Sequence, residues 1–339
     1  MSAPADTAPA DTAIADTAGF AGSAAATARP AHIGLPPAAL AAIGAMLGLL
    51  AVVPFALVVV ISLGQNVDGA AWHWGLTLEN YMRFFVGIGW PEEISTLYAQ
   101  KLYYSVHYAV LGSVLAVALA FPFAYLITRR SRRAQTAWLV VLLASVSLSE
   151  VFVVMGWDIL LSNRSGLPMV FRETGLTQLL KDLGVFPTLR DWGLANPRDV
   201  RFKPSEIATL LAVTYVVWPY AVILLYPPLS RVDNAMIEAA RTMGATHLTV
   251  IRTVVIPAVR LPLVGATLLL FVYVLGVYVA ISVFAAPARQ TLALSIYDAV
   301  RGSTLNAPFG AAQAVVLLSV AGLFLALSAW IGKRAEAKA

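Results

Sequence analysis

Hydrophobic residues run along this 339-residue chain in long, nearly charge-free stretches, not in the short alternations of a water-soluble domain. The first stretch covers 38–63 without a charged side chain, and Pro54 within it suits a membrane helix, whose freed carbonyl finds a local partner. Further stretches cover 103–128, 134–157, 207–229, 261–284 and 310–331. Each is close to the roughly 20 residues a helix needs to cross the hydrocarbon core. The pattern predicts an all-α membrane protein with six transmembrane helices and both termini on one side. Residues 1–37 differ: they are rich in Ala, Thr and Pro and repeat Ala-Asp-Thr-Ala from Ala5, Ala10 and Ala15. Such a segment cannot bury a core, and with no basic residue before Arg29 it does not read as a secretory signal. It is expected to be a disordered tail ahead of a membrane domain over 38–335.

Composition agrees, with 59% hydrophobic and only 12% charged residues, where a soluble domain carries about 25% charged. The absence of cysteine excludes disulfide frameworks, thiolate metal sites and thiol nucleophiles. A net charge of +5 could suggest a nucleic-acid partner, but the basic residues cluster in loops, as membrane orientation requires. Arg129, Arg130, Arg132 and Arg133 assign their short loop to the cytoplasm by the positive-inside rule. Alternation then puts Arg231, Arg241, Arg252 and Arg260 there as well, together with Lys333, Arg334, Lys338 and both termini. The segments 64–102 and 158–206 become outer loops, with Trp72, Trp74, Trp90 and Trp192 as interfacial or partner-facing residues.

The loop at 230–262 carries helix signals. Asp233 or Asn234 can cap an alanine-rich helix, Gly244 can end it in a left-handed conformation, and Thr246 can start a second helix that stops near Pro257. The pattern alone leaves an amphipathic connector lying on the membrane surface equally open. Glu238-Ala239-Ala240, then Gly244, then Val254, Ile256 and Pro257 resembles the motif Glu-Ala-Ala, three residues, Gly, nine residues, Ile-x-Leu-Pro of ATP-binding-cassette (ABC) importer permeases. Leu76-Thr77-Leu78-Glu79-Asn80-Tyr81 and Ala120-Phe121-Pro122-Phe123-Ala124-Tyr125-Leu126 are similar to the spermidine/putrescine branch of that family.

The resemblance implies the six-helix fold of type I ABC importer permeases, in a bacterial inner membrane, for a subunit that performs no chemistry. In that family this loop is a coupling helix seated in a groove of the ATPase. Glu238, Ala239, Ala240, Gly244 and Pro257 inherit the role by position. The implied partners are two ATPase subunits, a second permease, a periplasmic substrate-binding protein and membrane lipid. ATP and Mg2+ belong to the ATPases, since this chain lacks the Gly-x-x-x-x-Gly-Lys-Ser/Thr loop that surrounds nucleotide phosphates. No cofactor or metal is expected on the chain itself.

Two other classes compete. An ion-coupled secondary transporter often shows paired repeats, and none is evident here. An intramembrane enzyme needs a carboxylate pair or a His/Asp/Glu cluster, but His32, His73, His107 and His247 lie on different segments. The polyamine-type resemblance suggests an amine as cargo, with an opine, an amino-acid-like solute or an aminophosphonate as alternatives. Two positions, Val153 and Val277, depart from the residues usual in polyamine permeases. Glu150 stands inside the third apolar run, where a charge is costly and usually faces a cavity. Trp157, seven residues on, shares its helical face, and the two could hold an ammonium group through charge and cation–π attraction. The other reading pairs Glu150 with an outer-loop arginine such as Arg164. Tyr215, Trp218 and Tyr220 in the fourth run and Tyr273 and Tyr278 in the fifth are further candidates to line a path, or else packing and interface residues.

Overall fold

The computed structural model of the chain describes residues 37–67, 72–87, 89–302 and 305–336, with side chains at 38–330. The expected disordered tail therefore lies outside the described residues. Two compact units divide the chain, Met1–Val52 and Val53–Ala339. The boundary falls inside the first helix, α1 (Pro37–Ser62), and the second unit holds every later helix.

Among the described residues the fold is helical, apart from the isolated bridges Gln65 to His73 and Ala195 to Val200. After α1 come the short α2 (Glu79–Phe85) and the long α3 (Leu97–Thr128). α4 (Arg132–Ser147) and α5 (Glu150–Leu160) follow, then three short helices, α6 (Leu167–Glu173), α7 (Leu176–Asp182) and α8 (Phe186–Asp191), and then α9 (Glu206–Ser230). α10 (Asn234–Thr242), α11 (His247–Val250), a π-helical turn at Ile251–Val255 and α12 (Ile256–Ala258) lead into α13 (Arg260–Leu275). The chain ends with α14 (Val279–Phe284), α15 (Leu292–Arg301) and α16 (Ala307–Glu336).

α1, α3, α9 and α16 are long and apolar enough to cross a membrane singly, while α4 with α5 and α11–α12 with α13 pass the same test as bent pairs, at 92° and 73°. Counting each pair as one crossing gives the six expected spans. Two of them are not the continuous rods the hydropathy predicts. The third breaks where Leu148 and Ser149 turn extended (ψ 137° and 136°). The fifth bends at Val259, between α12 and α13, and the stretch expected over 261–284 is interrupted a second time between Leu275 and Val279.

The core lies where α3, α9 and α13 meet. The buried face of α3 carries Ala109, Gly112, Ala116, Ala120 and Ala124, and α9 answers with Ala208, Ala212, Val213, Val217, Ala221 and Leu225. Lipid tails are as apolar as these side chains, so burial alone gives two membrane helices no reason to associate, and close van der Waals approach must supply it. A Cβ placed on Gly112 would sit 2.9 Å from Val213 Cγ1. The motif at 76–81 has a structural use as well. Buried Asn80 donates from Nδ2 to the Ser62 and Gly64 carbonyls (3.0 and 2.9 Å), which α1 leaves unpaired at its end. Tyr81 adds a hydroxyl contact to Ser62 at 2.7 Å.

The seam predicts that Gly112→Val lowers stability by about 1–3 kcal/mol through overpacking. Gly156→Ala, where a Cβ meets nothing within 4 Å, should melt no lower than wild type. Thermal unfolding of the two purified variants beside wild type measures this, and a wild-type melt for Gly112→Val would show that the seam is not tightly packed.

Candidate functional site

The break in the third span changes the setting of Glu150. The sequence puts it within a continuous helix, whereas it stands in the first turn of α5, just after Ser149. A carboxylate there faces the positive end of a helix dipole, a favourable place that reduces the cost of burying it. Hydropathy averaged over a long window cannot register two extended residues. The Glu150 carboxylate is approached by the backbone amide of Ala280 in α14, while its Oε1 is buried with no hydrogen bond of normal geometry among the described residues, and no ion pair joins Glu150 to Arg164. The structural pairing expected as one alternative is therefore not formed.

α5 packs against α14, so the break before α5 faces the second broken span. A pocket of about 50 Å3 opens here, lined by Glu150, Ser145, Tyr215, Tyr220 and Tyr273. The Tyr220 and Tyr273 rings stand 5.3 Å apart. Trp157 shares α5 with Glu150 but opens into a different space, a groove of about 690 Å3 on α3, α5 and α9 that it lines with Phe123, Tyr215 and Trp218. Seven residues of helix separate the two side chains by about 10 Å along the axis, too far for one small ammonium to meet both. Trp157 meets Tyr215 edge-on at 5.2 Å, and Trp218 lies 5.0 Å from Phe123. Tyr278 stands apart, stacked on Tyr297 at 4.6 Å. The fold thus gathers Glu150, Tyr215 and Tyr273 around one pocket, places Trp157 and Trp218 in the adjoining groove, and leaves Tyr278 outside both.

A polar cluster that the sequence did not point to closes the end of the bundle where α9 starts. Glu206 accepts from His107 Nε2 at 2.8 Å and pairs through its other oxygen with Arg289. One carboxylate thereby joins α3, α9 and the turn before α15. Nearby, Lys203 pairs with Asp158 and reaches the Asp158 carbonyl at 3.2 Å, tying the end of α5 to the entry of α9. The sequence signal at Glu206 is only that of an acidic residue in a first helical turn after the cap Ser205, whose hydroxyl accepts from the Ala208 amide at 3.1 Å.

At the opposite end of α9, the loop at 230–262 folds largely as its signals suggest. The Asp233 carboxylate caps α10 by accepting the Ala235 amide at 2.9 Å. Gly244 takes φ +84°, its amide donating to the Arg241 carbonyl at 2.9 Å and the Ala245 amide to that of Ala240 at 3.1 Å. These paired bonds make a Schellman ending, which needs the left-handed residue. Thr246 caps the next helix at the Thr249 amide, 3.3 Å away. The helix it starts runs through the π-helical turn and ends at Ala258, one residue past Pro257, with the bend at Val259.

Ile237 and Ala240 point inward, whereas Glu238 and Ala239 are exposed beside Met236 and Met243, the last at 82% exposure. The named loop residues therefore divide. Ala240 packs the loop onto the protein, Gly244 shapes it, Glu238 and Ala239 present an outward face, and Pro257 lies exposed beyond the turn. Contacts also run from this loop to the short basic one. Arg129 donates to Asn234 Oδ1, and Gln135 accepts from the Tyr226 hydroxyl at 2.8 Å while donating to the Arg130 carbonyl at 2.8 Å.

Comparison with known proteins matches residues 120–336 to the family described as "Binding-protein-dependent transport system inner membrane component". The chain is 26% identical over 252 residues to the spermidine/putrescine transport system permease protein PotB of Escherichia coli (strain K12), covering 74% of this chain and 80% of that one. Among solved structures it is similar to a bacterial ABC transporter involved in the import of the acidic polysaccharide alginate, with a TM-score of 0.62, 13% identity, and 88% and 95% of the two chains covered. A bacterial alginate ABC transporter in complex with alginate pentasaccharide-bound periplasmic protein aligns with a TM-score of 0.51 and 15% identity over 76% and 86% of the chains. Both likenesses concern the fold.

Proposed function

The chain belongs to the binding-protein-dependent transport system inner membrane components, the permease subunits of ABC importers, and from that premise we propose that it carries small amines, polyamines foremost, into the cell. The observation that carries the cargo reading is the buried carboxylate of Glu150, which has no ion-pair partner among the described residues, in a pocket lined by Tyr215, Tyr220 and Tyr273. A carboxylate among aromatic rings and hydroxyls suits an ammonium, which it attracts by charge while the rings add cation–π contact. The similarity to a permease named for spermidine and putrescine points the same way. Trp157 and Trp218 in the adjoining groove are suited to the apolar methylenes between amine groups.

Energy comes from elsewhere, because the chain holds no phosphate-binding loop of its own. The assembly we infer has two ATPase subunits that bind ATP and Mg2+, a second permease, and a periplasmic binding protein that delivers cargo at the end of the bundle bearing Glu206. α10 then meets the ATPase through Glu238, Ala239, Met236 and Met243, a helix-in-groove contact. Both termini and the loop at 230–262 face the cytoplasm of a bacterium, in its inner membrane. Reporter fusions check that orientation: a reporter active only in the cytoplasm should work after Arg133 and one active only outside should work near Asp182, and cytoplasmic activity at Asp182 would overturn it.

Coupling is tested at Gly244. A Cβ there meets no atom within 4 Å, so Gly244→Val acts through the backbone, where a β-branched residue resists φ +84°. The variant should insert normally but lose ATPase co-purification or substrate-stimulated hydrolysis in the reconstituted complex. Wild-type values for both would remove this loop from the mechanism.

Cargo is tested at Glu150. Glu150→Gln keeps the shape and removes the charge, and loss of one partner in a desolvated charged contact should cut polyamine uptake by about tenfold or more. Assembly and basal hydrolysis should persist. Undiminished spermidine and putrescine uptake by the variant would reject an ammonium at this pocket.

A further inference from the structure

A second polar cavity, of about 380 Å3, lies away from the Glu150 pocket, among α2, α3, α15 and the start of α16. Its inner wall is Gln313, 0% exposed, with neither Nε2 nor Oε1 hydrogen-bonded among the described residues. A buried amide left without partners is costly, so the site is built for a polar occupant. Arg83 flanks it, the guanidinium 4.4 Å over the Phe309 ring and Nε buried without a partner. Lys101 and Asp298 also line it, beside the uncharged polar groups of Asn66, Ser295 and Asn306. Neither basic residue forms an ion pair within 4 Å with Asp298 among the described residues. Lys101 and Asp298 attract one another across the space without touching, and Arg83 has no ion-pair partner within 4 Å among the described residues, so two cations and an anion border one cavity with their polar atoms left open to an occupant.

The geometry points to a binding site for a small zwitterion, in which a phosphate or carboxylate sits between Arg83 and Lys101 and an ammonium a few carbons away meets Asp298. Guanidinium suits an oxyanion because its fork offers several donors at once, and the Gln313 amide can both donate and accept. Phe309, with Tyr98 set edge-on at 4.8 Å, provides an apolar wall for the linking carbons. The cavity is larger than a single inorganic anion requires. Free aminophosphates and the head group of ethanolamine phospholipids share this chemistry.

The test uses the full chain in detergent, with radiolabelled O-phosphoethanolamine and inorganic phosphate in equilibrium dialysis. Wild type should bind one O-phosphoethanolamine per chain, about thirtyfold more tightly than either Arg83→Gln or Asp298→Asn. Asp298 is exposed, so its variant folds normally and decides the matter if Arg83→Gln does not. In nanodiscs containing phosphatidylethanolamine and phosphatidylglycerol, native mass spectrometry reports the lipid source: one ethanolamine lipid kept by wild type and lost from Asp298→Asn assigns the head group as the occupant. The proposal is overturned if neither the soluble nor the lipid form binds, which would leave a water-filled cavity. It is equally overturned if inorganic phosphate binds as well as O-phosphoethanolamine and is indifferent to Asp298→Asn.

Discussion

Close approach of α3 to α9 is the contact on which the remaining geometry depends. In water, two apolar helices associate because they leave solvent; in lipid that gain is absent, and small side chains must let backbones come near enough for dispersion to act. Ala109, Ala116, Ala120 and Ala124 present such a face, and Gly112 leaves room for Val213 where a methyl group would collide. α13 joins the pair through buried Ala266, Leu270 and Val274. Pocket, groove and the loop at 230–262 are all carried on these three helices or on segments attached to them.

That rigid centre makes the two broken spans tolerable. A helix interrupted within the membrane leaves amides and carbonyls unpaired, which is permitted only beside protein or a cavity. α5 packs against α14, and the break before α5 opens the pocket that Glu150 lines with Tyr215, Tyr220 and Tyr273. At one end of the bundle Glu206 holds α3, α9 and the α15 approach together. At the other, Arg129 and Gln135 connect the short basic loop to α10 and α9. Helix ends are thus fixed by polar contacts, while the alanine seam of α3 on α9 is held by packing.

The same division governs the loop at 230–262. Its local form comes from short-range chemistry: a capping aspartate, a left-handed glycine and a capping threonine. Which face it shows is decided by packing, which turns Ile237 and Ala240 inward and leaves Met236, Ala239 and Met243 outward.

Six apolar stretches, the basic loops between them and the cap residues around Gly244 were legible in the sequence because each is a local property. Apolar length reports cost in lipid, and a glycine after an alanine-rich turn reports where a helix can end. The kinks were not legible: hydropathy sums over a window, and Leu148 and Ser149 are as compatible with a straight span as with a bent one until α14 packs beside them. Nor was the sharing of roles among the candidates, for Glu150 and Trp157 lie on one helical face yet open into different cavities. The clusters that only the tertiary structure assembles join residues far apart in the chain: His107 and Glu206 are separated by 99 positions, Arg289 and Glu206 by 83. No periodicity spans such distances, and each of these side chains taken alone reads as an ordinary charge near a helix end. Packing of α3 on α9 brings them within reach of one another, because electrostatic pairing depends on distance in space.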